Sequence, residues 1–514
     1  MSTKKLNYEV LVFGAGPVGA AVALGLQQQG YTVCVCEKRS EKAVIIDAGR
    51  SINLSLSTRG IALLKELNVY KDLQSTLVPM VKRRFANGNT EAYREPLQSI
   101  NRNLLTIELI KAAQASGVTF LYDIGFSREM FNEQTGECTF PTGESFKPRV
   151  IIGCDGVHGK ISKFINPKEP ERSSRASDWG YYELTIPACV ANKMSRDQFT
   201  NFHIWPGKAP HKNEFIVGLP NCDGTITLTL FGLMQEVRGR MTKVDEMRTY
   251  LTSTYDGLDS GVEGLEEAVS GGFQTIFLND HENLAGELGS TGTYVFLFGD
   301  AALGMEQFLG LAVNAGFEGA HRFLQHFHRA EALTKNDSFW RSQVHARNVM
   351  NAGVKALQNA SNKNAASMRD GCDDPLGKAI RAVLEAKFSV KDINASKFES
   401  THDWWSFCEV PLKVTEAVVA GQDHIVDSLK AMLLASRSME NREGEMLTAA
   451  ETELVVGVAT PQVEALFAER VRLQAAHSAA VEAGFAQPGP RNKHARLVSV
   501  GVIVAFYLFA AAIV

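Results

Sequence analysis

Three glycines, Gly14, Gly16 and Gly19, stand between the apolar run "YEVLVF" and the helix-like run "AAVALGLQQQG". A Gly-x-Gly-x-x-Gly turn between a strand and a helix suits one task. Its first glycine allows a tight turn, and its second lets a pyrophosphate approach the backbone at the helix N-terminus. The third lets helix and strand pack closely. Glu37 ends the next run, "YTVCVCE", where a carboxylate can hold a pair of ribose hydroxyls. Strand, turn, helix, strand and acid fall in order, which predicts dinucleotide binding. The pattern does not choose between FAD and NAD.

Two further carboxylates sit at strand ends. "VIIGCDGVHGKISK" places Asp155 and Gly156 at one, and "YVFLFGDAA" places Asp300 at another. Behind Asp300 almost nothing is charged until Glu306, and then nothing until Glu318. A long helix is expected to start directly there. In a flavin enzyme a strand-end Asp meets the ribityl chain, and the next helix points its N-terminus at the ring, favouring negative charge on reduced flavin. The competing reading makes Asp300 the N-cap of a structural helix.

The elements that must position these groups are of two kinds. The first part is α/β, with helices near Arg59 to Leu67 and Leu104 to Ala115 and a strand near Val118 to Tyr122. From about Gly180 to Phe231 the runs "YYELTIP", "FHIWP", "EFIVGLP" and "TITLTLF" alternate like strands, with Gly, Pro and Asn between them. "TYVFLFGD" returns to the α/β pattern, and helical signals dominate from about Ala315 to Ala486. Thr460 and Pro461 mark a helix start there.

Charge and composition exclude some functions. A formal charge of −4 over 514 residues gives no basic face for nucleic acid. Eight scattered cysteines form neither a CxxC pair nor a Cys/His cluster at zinc spacing, so no metal is expected and a reduced compartment fits. Cys34 and Cys36 read as buried strand thiols on one face. His158 reads as a surface-loop residue, and "ENREGE" as a solvated loop. The chain ends in 18 uncharged residues, Leu497 to Val514, preceded by Arg491, Lys493, His494 and Arg496. As a helix they would span about 27 Å, enough to cross a hydrocarbon core with the body on the basic side. A buried C-terminal helix is the other reading.

Together the stretches "GRSINLSLSTRG", "VPM", "IIGCDG", "GYYELTIP", "HIWP", "LPN", "TLF", "GDAA" and "NAGFE" lie in matching order over roughly the first 320 residues. They resemble the single-component flavin aromatic hydroxylases, and within them the kynurenine 3-monooxygenase family. The resemblance implies FAD as cofactor and NADPH as reductant without a Rossmann domain of its own. It also implies ring hydroxylation of kynurenine or a similar amino-aromatic acid with O2, through a flavin C4a-hydroperoxide. By the same resemblance Gly14, Gly16, Gly19, Glu37, Arg39, Asp300 and Gly310 bind the cofactor. Arg83 pairs with the substrate carboxylate, Tyr93 assists it, and Asn351 contacts the substrate; no catalytic residue is assigned.

The division that follows runs 1–178 and 291–335 for a Rossmann-type FAD-binding domain. An inserted antiparallel β-sheet substrate domain occupies 179–290 and a helical region 336–486. A basic linker follows at 487–496 and a transmembrane tail anchor at 497–514. The family's location implies a mitochondrial membrane: the outer one with the body facing the cytosol, or the inner one if the chain belongs to a complex.

The departures cluster at the ring. Where the family carries a His, then a Pro, then Gly-Gln-Gly, this chain reads Leu303, Gln307 and Gly310-Leu311-Ala312. A family Arg falls on Asn101, and Arg102, one place along, is expected to point some 100° away on a helix. The carboxylate that orients the substrate amine falls near Val354. An active, divergent monooxygenase and a membrane-anchored pseudoenzyme serving as a structural or binding subunit are therefore both open.

Overall fold

The strands Val10–Phe13, Val33–Cys36 and Val150–Gly153 are buried at every residue. A strand apolar on both faces belongs inside a parallel sheet covered on both sides. In the computed structural model they lie in such a sheet. The structure describes residues 8–327 except 47–52, 169–173, 212, 257, 259–260, 280, 308–309 and 311, and also residues 344 and 347.

The first sheet runs Ala285–Glu287, Tyr294–Leu297, Val150–Gly153, Val10–Phe13, Val33–Cys36, Thr119–Leu121. All neighbours are parallel except at the Ala285–Glu287 edge. Alternation sorts its side chains. Val10, Val12, Val33 and Val35 enter the cluster under the helices; Leu11, Phe13, Cys34 and Cys36 enter the cluster on the other face. The helix Pro17–Gln28 is buried from Val18 to Leu26. Its small residues let the helices Arg102–Ala115 and Ala312–His326 lie against it. A β-carbon at Gly25 would come within 2.4 Å of Leu324.

The second sheet has eight strands, in the order Gln274–Asn279, Ser174–Ile186, Ile226–Leu233, Phe215–Pro220, Asn201–Pro206, Val78–Phe85, Thr90–Asn101, Asn53–Leu56. Two expectations are corrected here. The sheet is mixed rather than antiparallel, because Asn201–Pro206 and Val78–Phe85 pair in parallel. It is also not confined to 179–290, since three of its strands come from 53–101. Period-two alternation marks a residue as strand but does not say which sheet the strand joins.

A third correction concerns Asp300. No long helix follows it directly. Gly299–Ala301 forms a single 3-10 turn, and the helix begins only at Ala312. Gly304 and Gly310 lie between, and Gly310 holds a φ of 64°, a left-handed conformation that interrupts a helix. Asn314 fastens this region to the second sheet. Its Oδ1 accepts from Ser57 N at 2.9 Å, and its Nδ2 donates to Ser55 O at 2.8 Å and Gly310 O at 2.9 Å. Asn314 is fully buried. Replacing it by alanine is expected to cost about 2–4 kcal/mol, because three buried backbone groups lose their partner; the urea midpoint checks this.

Among the described residues no helix is long and apolar enough to cross a membrane. The expected anchor at 497–514, the linker at 487–496, and the 336–486 region apart from residues 344 and 347 lie outside the described residues.

Candidate functional site

The glycine turn is built by close backbone approach. Gly14 has a φ of 103°, and a β-carbon there would lie 2.2 Å from Cys154 O. A β-carbon at Gly19 would lie 2.0 Å from Gly14 O. Gly16 differs, because a β-carbon there meets nothing within 4 Å. Gly16 is the N-cap of the Pro17–Gln28 helix, and no side chain caps that end. Its first-turn N–H groups face open space, which is what an anion requires.

Glu37, at the end of the neighbouring strand, braces the turn. Its Oε2 accepts from Ala15 N at 2.8 Å, and its Oε1 accepts from Arg39 N and Nε, each at 3.0 Å. Burial pushes this carboxyl up, but the Arg39 side chain and the two backbone N–H groups together hold it below the ordinary range. A depressed carboxylate contributes stability above the unfolded value of about 4.3, lost as pH falls through the folded one. Glu37→Gln is therefore expected to show a shallower loss of stability below about pH 4.3 than the parent, measured by melting temperature against pH.

A cavity of about 250 Å³ opens where the two sheets meet. Its wall comes from separate stretches: Gly16 and Gly19, Asn53 and Ser55, Arg102, Gly156, Thr275 and Phe277, Asp300, and Gly310 to Val313 apart from residue 311. Asp300 is exposed into it, although protein surrounds the carboxyl. That enclosure raises its pKa, and Arg102 pulls the other way. Asn279 Nδ2 donates to Asp300 O at 2.7 Å, so the turn is held through its backbone. Among the described residues, nothing hydrogen-bonds the Asp300 carboxylate itself.

Arg102 corrects the sequence reading. Asn101 is not a helical residue but the N-cap, its Oδ1 accepting from Asn103 N at 2.9 Å and Leu104 N at 3.3 Å. The 100° argument assumed that both residues lie inside the helix. Arg102 is instead the first helical residue, and it borders the cavity. Its charge also acts on Tyr181 of the second sheet, whose phenol burial and Glu183 push up to about 12 while Arg102 lowers it.

The other predicted residues divide. Gly16, Gly19, Asp300 and Gly310 line the cavity, while Glu37 and Arg39 stand behind the turn. Arg83 and Tyr93 do not line it. Arg83 lies on Val78–Phe85, its guanidinium 5.1 Å from the Phe85 ring centre. Tyr93 is buried on the adjoining strand with Met80, Leu97 and Phe202. That face of the sheet continues into aromatic residues: Phe215 lies 5.3 Å from Phe231, and Tyr181 6.1 Å from Phe231. Asn351, Val354 and Leu311 lie outside the described residues. Asp155 is occupied away from the cavity, its Oδ2 accepting from Lys160 N at 2.6 Å. Leu303 is buried in the apolar core, and Ala312 lines the cavity. No group of metal-ligating side chains occurs among the described residues.

Asn53, Ser55, Thr275 and Phe277 were missed. The first two lie inside the quoted run "RSINLSLS", so position in that run was an available signal. Thr275 and Phe277 had only the short alternation of "QTIFLN" to mark them.

The open cradle at Gly16, the uncapped helix end, the Asp300 carboxylate facing the same space and Glu37 behind the turn together fit a flavin dinucleotide. The comparisons agree. The model of the "FAD binding domain" family matches residues 7–332, more than half of the chain. The kynurenine 3-monooxygenase of Cytophaga hutchinsonii is 28% identical over 459 residues, covering 83% of this chain and 95% of that protein. The enzyme of the same name from Dictyostelium discoideum is 26% identical over 453 residues, covering 82% and 93%. Among solved structures, the tetrameric form of 2-methyl-3-hydroxypyridine-5-carboxylic acid oxygenase superposes with a TM-score of 0.54 at 20% identity, over 77% of this chain and 96% of that one. P. aeruginosa PqsL, solved with 2-aminobenzoylacetate, gives a TM-score of 0.52 at 15% identity over 71% and 97%. These two show likeness of fold.

Proposed function

Because this chain belongs to the FAD binding domain family and is a divergent member of the kynurenine 3-monooxygenase family, we propose that it hydroxylates an aromatic amino acid such as kynurenine, using NADPH and O2. The observation that carries the reading is the meeting of Gly16, Asp300, Arg102 and the Ala312–His326 helix start at one cavity. FAD, when bound, supplies the electron transfer from nicotinamide to oxygen. The chain's residues do the rest. The first turn after Gly16 holds the pyrophosphate, Glu37 braces that turn from behind, and Asp300 accepts from the ribityl chain. The start of the Ala312–His326 helix favours negative charge on the ring. Arg83 meets the substrate carboxylate as a forked donor, with Tyr93 beside it and Asn351 contributing by resemblance. The aromatic face around Phe215 and Phe231 walls the substrate ring. The C-terminal segment anchors the body to a mitochondrial membrane.

The second reading, a pseudoenzyme holding a membrane complex together, is favoured by Ala312, whose methyl stands in the cavity wall where the family has glycine. Leu303 weakens it, because that side chain lies in the core rather than the cavity. Anaerobic NADPH titration of the detergent-extracted protein, with and without kynurenine, separates the two. The proposal expects a flavin that bleaches, and bleaches faster with kynurenine. A colourless protein, or a flavin indifferent to both, overturns it and supports the second reading.

A further inference from the structure

Arg347 is 5% exposed, yet no described carboxylate answers its charge. Its Nη2 donates to Leu297 O at 2.7 Å, and the guanidinium carbon lies 4.2 Å from the centre of the Phe298 ring. Its Nε and Nη1 have no hydrogen-bond partner. Gly319 leaves room for it, since a β-carbon there would lie 3.3 Å from Nη1. The carboxylates next in sequence to its neighbours are engaged elsewhere. Glu318 pairs with Arg59 at 3.1 Å, and Asp155 Oδ2 accepts from Lys160 N at 2.6 Å. The titratable group that does act on Arg347 is the Cys154 thiol, which burial and Asp155 push up, so it stays uncharged. Burial lowers Arg347 only to about 10, so it is a cation at neutral pH. A buried cation without a counter-charge is costly to a fold.

The position of this charge suggests what answers it. Phe298 and Cys154 both border the cofactor cavity. Cys154 also underlies the glycine turn. A β-carbon at Gly14 would lie 2.2 Å from Cys154 O, and one at Gly19 would lie 3.1 Å from Cys154 Cβ. The guanidinium therefore stands behind the wall beside which the uncapped helix end after Gly16 is open to an anion. That helix end is itself a source of positive potential. Val344, three residues before Arg347, packs against the core cluster that contains Phe298, so this part of the chain is seated on the site from behind.

We propose that Arg347 is a positioning residue for the cofactor's pyrophosphate, its buried guanidinium supplying positive charge from behind Phe298 and Cys154 that the bound dinucleotide balances. The inference rests on FAD occupying the cavity.

The test compares the parent with Arg347→Gln, which can still donate to Leu297 O, and Arg347→Lys, which keeps the charge. Flavin-free chains are titrated with ADP by calorimetry, and with FAD and riboflavin by flavin fluorescence. Arg347→Gln is expected to weaken ADP and FAD about tenfold, because a charge keeps much of its reach through protein, and to leave riboflavin, which has no phosphate, within about twofold. Arg347→Lys is expected to stay within about threefold of the parent for all three, since the charge remains. The urea midpoint of flavin-free Arg347→Gln is expected to equal or exceed the parent's, because the variant no longer buries an unanswered charge. Equal weakening of ADP and riboflavin, as a merely structural role would give, overturns the proposal. So does a loss in Arg347→Lys as large as that in Arg347→Gln. Arg347→Met takes the place of Arg347→Gln if the latter does not fold, and failure of both overturns the proposal, because the guanidinium would then serve the fold. A parent that binds neither ADP nor FAD counts against the cofactor reading itself. A parent and an Arg347→Gln variant that bind both equally well overturn this inference alone.

Discussion

Gly16→Val is expected to give a chain that folds and carries no flavin. Its backbone sits at a φ of −69°, which any residue adopts, and no atom lies within 4 Å of a β-carbon there. The change at the helix N-cap costs stability by only about 1 kcal/mol. The same space is where a pyrophosphate reaches the uncapped helix end, and the added side chain fills it. A lost contact of about 3 kcal/mol lowers affinity by about 100-fold. Flavin absorbance after desalting, set beside the melting temperature of the flavin-free chain, checks both halves. A yellow variant would falsify the placement of the cofactor at this turn.

Gly19→Ala is expected to do the opposite, destabilising the fold whether or not a cofactor is present. Its β-carbon would lie 2.0 Å from Gly14 O and 3.1 Å from Cys154 Cβ. The nearer obstacle is backbone, and it cannot rotate away. The helix must lift from the sheet, and overpacking of this kind costs about 3 kcal/mol or more. Soluble yield and the denaturant midpoint of the flavin-free variant report it. A midpoint equal to the parent's would show that the helix has room that the close approach denies. The two substitutions, three residues apart in one motif, separate the glycine kept for a ligand from the glycine kept for packing.

That distinction shows how much the sequence carried. The glycine spacing, the acid at Glu37 and the apolar strands were legible because each depends on local backbone geometry or on neighbours within one βαβ unit. The start of the Ala312–His326 helix was misjudged, because an apolar run after Asp300 looks helical until Gly310 is required to take a positive φ. Arg102 was misjudged for a related reason. Whether Asn101 is inside a helix or caps it turns on two backbone hydrogen bonds, and the type of residue permits either. The second sheet was read in only one of its parts, since nothing within 53–101 says that its strands will pair with residues beyond 200. Asn279, which fastens the cavity wall, offered no signal beyond being polar in apolar surroundings, whereas Asn314 opens the quoted run "NAGFE" and its place there was a signal.

The parallel seam between Val78–Phe85 and Asn201–Pro206 also bears on how the chain is made. On a ribosome, Val78–Phe85 can pair at once with Thr90–Asn101, but its other edge waits until the stretch around Asn201 has emerged. An open edge of this kind invites pairing with other chains, so this interval is when a newly made molecule most needs a chaperone. Cofactor loading is delayed further, because the cavity is walled in part by Ala312 and Val313. FAD can enter only after synthesis has passed them, so starvation for flavin should leave finished, cofactor-free chains rather than arrested ones.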